Sequence, residues 1–130
     1  MNLQDNVFAY QAPIWQRFRA PRHAGRLPPG GRLFEAQAGS PATRSVLRLQ
    51  VEVEAGVVRQ ARFQAYGCPT AIAVGEWLAE RIEAQALSAW AAIDAAAIRS
   101  ALEIPEDKAH CALMGEDALR ALARQMSSPE

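Results

Sequence analysis

A chain of 130 residues carrying fourteen basic and fourteen acidic side chains, with a net charge of zero, is long enough to bury a core as one domain, residues 1–130, without disulfides or structural metal. The balanced charge excludes a general nucleic-acid binder, whose affinity rests on an excess of Lys and Arg against phosphate. No stretch approaches the roughly 20 apolar residues of a membrane span, and Met1 to Phe18 lacks the basic start and apolar run of a secretory signal. The expectation is a cytoplasmic protein without membrane or nucleic-acid partners, its two cysteines present as free thiols or ligands.

Phe8 to Phe18 is predicted as a short amphipathic helix, with Pro13 in its first turn and Pro21 stopping it. Arg22 to Gly31 is rich in Gly and Pro, so a mobile loop is expected there. The arginines at 17, 19, 22, 26 and 32 read as an ordinary solvated surface. From Val46 the period becomes two: Leu47, Leu49, Val51 and Val53 alternate with Arg48, Gln50, Glu52 and Glu54. Ala55-Gly56 is a turn, and Val58 to Tyr66 alternates again, which predicts an antiparallel hairpin. Arg32 to Ala38 is expected to add a third strand.

After Cys68 the period turns helical. Ala71, Val74, Trp77, Leu78 and Ile82 share a face, with Pro69 in the first helical position and Glu76, Glu80, Arg81 and Glu83 mostly outside. Ser88 to Ala92 and Asp94 to Leu102 read as two short helices capped by Ser88 and Asp94. Pro105 ends that run. Cys111 then opens a last helix to about Met126, with Leu113, Met114, Leu119, Leu122 and Met126 as its apolar stripe and Ser127 to Glu130 frayed. Strands followed by helices make an α+β fold: a small antiparallel three-stranded sheet with helices packed on it.

Both cysteines fall where a helix begins, and unpaired N–H groups there favour a thiolate. His110 alone reads as a satisfied surface or core histidine; beside Cys111 it becomes a candidate ligand. Lys108 is either a cation lowering the Cys111 pKa or a solvated side chain. Glu106 and Asp107 read as acids near a helix start, Glu116 and Asp117 as surface, and Trp15, Phe63 and Trp77 as core. No nucleotide-binding glycine loop is present. His110 and Cys111, adjacent along a helix, do not face each other and make a poor base and nucleophile pair. His110 with Cys68 could pair across the fold, but no oxyanion donor or third residue is readable.

Leu49-Gln50-Val51-Glu52-Val53, Ala61-Arg62-Phe63-Gln64-Ala65-Tyr66-Gly67-Cys68 with Ala71-Ile72-Ala73, and Lys108-Ala109-His110-Cys111-Ala112-Leu113 with Glu116-Asp117-Ala118 stand in the order of signature stretches. With Pro21-Arg22-His23-Ala24-Gly25 upstream, the chain resembles the IscU/NifU N-terminal type of iron–sulfur cluster assembly scaffold, with a SufE/NifU-like fold. That family surrounds a cluster or a zinc ion with three cysteines, an aspartate and a histidine. The resemblance implies Cys68, His110 and Cys111 as ligands and Cys111 as acceptor of persulfide sulfur from a cysteine desulfurase. The first family cysteine is replaced by Thr43, its following glycine by Arg44 and the aspartate by Ser45. A hydroxyl ligates iron or zinc more weakly than a thiolate. The chaperone-recognition segment also differs, reading Ile104-Pro105-Glu106-Asp107-Lys108. The resemblance implies a protein that is not an enzyme but a scaffold or carrier for a transient [2Fe-2S] cluster or iron, with zinc a further occupant. Its implied partners are a desulfurase, iron–sulfur client proteins and an Hsp70-type chaperone. The alternatives are a persulfide acceptor or a ligand-depleted regulatory or binding module of the same fold.

Overall fold

Alternation of apolar and polar residues gives the sheet one face to bury, and that face organises everything else. The structure, a computed structural model, describes residues 9–40, 42 and 44–127. Its sheet is a three-stranded antiparallel meander in the order β1-β2-β3, formed by β1 Leu33–Ser40, β2 Ser45–Glu54 and β3 Val57–Tyr66. Leu47, Leu49, Val51 and Val53 of β2 point inward and are buried, as the period of two requires. Between Glu52 and Val53 the register with β3 shifts: Glu52 faces Gln60 while Val53 faces Val58. The extra residue, Arg59, is a bulge that lets Val58 and Ala61 both reach the core.

Helix α1 (Ala12–Arg19) begins later than the pattern predicts, with Pro13 in its first turn; Phe8 lies outside the described residues. Helix α2 (Pro69–Ile82) lies on β3 and α4 (Ala109–Ser127) on β1, both touching β2, while α1 packs on α2 and α3 (Ala95–Leu102) on α4. Asp94 caps α3 as expected, its carboxylate accepting from the Ala97 N–H at 2.8 Å. Ser88 does not cap: it sits inside a 3-10 turn, Leu87–Ala92, preceded by Ala86. A second such turn, Glu106–Lys108, leads into α4. Residues 128–130 lie outside the described part, and no helix within it is long and apolar enough to cross a membrane.

Three expectations are corrected. The loop after α1 is pinned, not free: the His23 carbonyl accepts from Phe63 N and Gly25 N donates to the Phe63 carbonyl, extending the sheet edge, while Leu27 is buried and its N–H donates to Gln50 at 2.6 Å. Glu76 is 1 % exposed. Leu113, assigned to the apolar stripe, is 56 % exposed, because α4 turns Ala112 and Met114 to the core on either side of it.

Candidate thiol site

The corner between β3 and α2 requires glycine. Gly67 has φ 150°, and a Cβ there would stand 3.1 Å from Ser45 Oγ and 3.2 Å from the Ala71 Cβ. The corner places Cys68 at the N-cap of α2, with Pro69 starting the helix. Cys111 is in the first turn of α4, and the packing of α2 on α4 brings the two sulfurs together, the Cys111 thiol donating to Cys68.

The two thiols are not equivalent. That hydrogen bond is the largest influence on Cys68 and holds its pKa down to about 5; burial opposes it, and the Ala71 and Thr70 N–H groups and the Lys108 charge assist. Those N–H groups act without a full capping hydrogen bond to the sulfur. Cys111 is pushed far up by the bond it donates, by burial and by the charge on Cys68, with Lys108 opposing. Cys68 is therefore the more acidic thiol of the pair and Cys111 the one that keeps its proton more firmly. Cys111 is 0 % exposed, whereas Cys68 is half-buried.

Cys68 opens into a hollow of about 640 Å³, which is lined also by Arg44, Ser45, Tyr66, Lys108 and His110. His110 is exposed. Among the described residues, no group of three or more His, Cys, Asp or Glu side chains is close enough to hold a metal ion. The two thiols meet, and the three-residue set of Cys68, His110 and Cys111 requires His110 to turn towards them. Ser45 opens β2 on the wall of the hollow. Thr43 lies outside the described residues.

Two residues escaped the sequence reading, one at the rim of the hollow and one elsewhere in α2. Tyr66 is 70 % exposed at the rim, which its alternating position in β3 could have indicated. Glu76 is held beneath His23, whose backbone N–H donates to one carboxylate oxygen at 2.7 Å and whose Nδ1 meets the other at 2.7 Å. The available signal was the uninterrupted run Ala71-Ile72-Ala73-Val74-Gly75, which marks α2 as buried beyond a single stripe. Glu116 is likewise more than a surface acid, because it accepts from the Ala95 N–H at 2.7 Å and so secures the start of α3.

Residues 9–128 match the family described as NifU-like N terminal domain. The iron-sulfur cluster assembly scaffold protein IscU of Haemophilus influenzae is 32% identical over 115 residues, covering 87% of this chain and 91% of that protein. The protein of the same name from Azotobacter vinelandii is 33% identical over 121 residues, covering 89% and 92%. Among solved structures, the N-terminal part of a nitrogen-fixing NifU-like protein from Brucella abortus superposes with a TM-score of 0.72 at 15% identity, covering 96% of this chain and 97% of that one.

Proposed function

The chain belongs to the family of NifU-like N-terminal domains, and from this premise we propose that it serves iron–sulfur cluster assembly as a non-enzymatic scaffold or carrier in the cytoplasm. The observation that carries the reading is the contact of Cys68 with Cys111 at two helix starts, in a chain alike to IscU scaffolds over most of its length. Iron, or a transient [2Fe-2S] cluster, is the cargo. The two cysteine sulfurs supply the strongest ligands, Cys111 giving up its proton as it binds, and His110 joins them by turning inward from the rim. The remaining position goes to a thiol from a client protein or to a small molecule, since Thr43 and Ser45 offer hydroxyls. Zinc suits the same thiols.

The partners implied are a cysteine desulfurase and iron–sulfur client proteins. An Hsp70-type chaperone would meet Ile104 to Lys108, where Glu106 and Asp107 are exposed. A second reading, persulfide acceptance without cluster assembly, is favoured by one observation: Cys68 is a reachable thiolate as the fold stands, whereas acceptance at Cys111 requires the first turn of α4 to open.

Anaerobic reconstitution with iron and sulfide tests the scaffold reading. The protein is expected to bind iron with labile sulfide, and the double variant Thr43→Cys, Ser45→Asp to retain several-fold more. Protein that takes up neither, with no gain in the variant, would overturn it. A sulfur adduct formed with desulfurase and cysteine under those conditions would then select the acceptor reading, and continued binding of a desulfurase without any adduct would leave a binding module.

A further inference from the structure

The hollow in front of Cys68 is basic in a chain whose charges cancel overall. Arg44 and Lys108 both line it, His110 adds a ring nitrogen and Ser45 and Tyr66 add hydroxyls, while none of the described residues lining it is an acid. Glu106 and Asp107, although next to Lys108 in sequence, do not line it. Two cations and no acid among its described lining leave positive charge available to a ligand. Arg44 is moreover held at φ 59°, a conformation in which glycine is the unstrained choice and a branched-out cation costs energy. An open hollow of this size with donors on its lining has room for a small molecule. Oxyanions and carboxylates are what paired Arg and Lys side chains bind best.

We propose that this hollow takes a small anionic sulfane-sulfur donor, its anionic oxygens on Arg44 and Lys108 and its terminal sulfur against Cys68, so that the protein acquires sulfur without a desulfurase. The inference names a ligand for the sulfur-handling site proposed above and rests on that reading. The terminal sulfur is bonded to a second sulfur and is electrophilic. Cys68 Sγ attacks it, the new Cys68 S–S bond forms, the donor's S–S bond breaks, and the leaving group departs with the bonding electron pair. With thiosulfate the products are a Cys68 persulfide and sulfite; with the persulfide of a carboxylate-bearing thiol they are the same persulfide and the free thiolate. No external oxidant or reductant enters. The cations bring the anion to the thiolate against charge repulsion, an effect that added salt weakens.

Reduced, metal-free protein is incubated with thiosulfate, with glutathione persulfide, or with the uncharged donor dimethyl trisulfide, and the sulfur adduct on Cys68 is followed by mass spectrometry. At low salt at least one anionic donor should load Cys68, and Arg44→Gly and Lys108→Gln should each slow that loading about tenfold more than they slow loading from dimethyl trisulfide. Raising the salt should erase the difference. Loading by thiosulfate alone assigns the inorganic source, by the glutathione derivative alone the organic one, and by both the shared chemistry. Failure of both anions to load Cys68, or equal slowing of charged and uncharged donors in both variants, would overturn the proposal. Cluster reconstitution on the same preparations keeps the two readings apart: protein that assembles a cluster but ignores both anions loses only this inference, and protein that loads from the anions but holds no cluster loses only the scaffold.

Discussion

Cys68 is the more acidic of the two thiols because the Cys111 thiol donates to it, the N–H groups of Ala71 and Thr70 assist, and the Lys108 charge adds to them. Position alone, a cysteine before Pro69 at a helix start, already favours a thiolate. The larger effect comes from Cys111, and nothing local to Cys68 encodes it. The rate of Cys68 alkylation should therefore rise with pH to a midpoint near 5, since only the thiolate reacts. Replacing the donor in Cys111→Ala should move that midpoint up by roughly one unit or more, the worth of a hydrogen bond to a charged group. An unchanged midpoint would mean that helix position, not the partner thiol, sets the charge. Lys108 was read against Cys111 in the sequence; in the fold it steadies the thiolate of Cys68 as well.

The separation between α2 and α4 decides whether the two thiols meet. Gly115 in α4 makes that spacing short: a Cβ on it would come within 2.6 Å of Val74 Cγ1 and 3.2 Å of Ile98 Cδ1 and Leu78 Cδ1. All three neighbours are fully buried, so they have little room to yield. Gly115→Ala is expected to cost about 2 kcal/mol of stability through overpacking, measured by urea denaturation. By pushing the helices apart it should also raise the alkylation midpoint of Cys68. Lost stability with an unmoved midpoint would show that the thiols stay together without this contact. The element pattern itself was legible, since period-two alternation marked β2 and β3 and Asp94 marked the start of α3. The bulge at Arg59 was not, because it depends on how β3 registers against Glu52 and Val53. Nor was the exposure of Leu113, whose place in the apolar stripe is outweighed by what α4 lies on.

Across the molecule, His23 ties the segment after α1 to α2 and to the edge of β3. Its Nδ1 lies 2.7 Å from Glu76 and its Nε2 2.9 Å from Glu83, and Glu83 also accepts from the Ala61 N–H at 3.0 Å and from Arg62. Burial works against the imidazolium, but the hydrogen bonds and charges of both carboxylates raise the His23 pKa above 6.5. Burial raises Glu76, with His23 opposing. Burial would also raise Glu83, but the Ala61 N–H, His23 and Arg62 outweigh it and lower its pKa. A raised folded pKa gives stability that is complete below the unfolded value and lost as pH rises through the folded one. The His23 contribution is thus complete below 6.5 and disappears as pH climbs through its raised pKa, and Glu76 acts in the same sense from 4.5 upward. The Glu83 contribution is present above 4.5 and lost as pH falls through its lowered pKa. Thermal unfolding should show the wild type losing stability more steeply than His23→Gln as pH rises above 6.5; parallel profiles would sink the clamp. His23→Ala, which strands the Glu76 carboxylate in the core, should cost about 3 kcal/mol.

The sequence by itself determined the strand and helix pattern, the family and the two thiols, because periodicity, capping and short motifs act between residues close in the chain. Only the tertiary structure decided that Cys68 is the more acidic thiol while Cys111 keeps its proton more firmly, that Glu76 is buried under His23, and that Arg44 and Lys108 face one hollow. Each of these depends on distances between segments far apart in sequence, and burial and charge act through space.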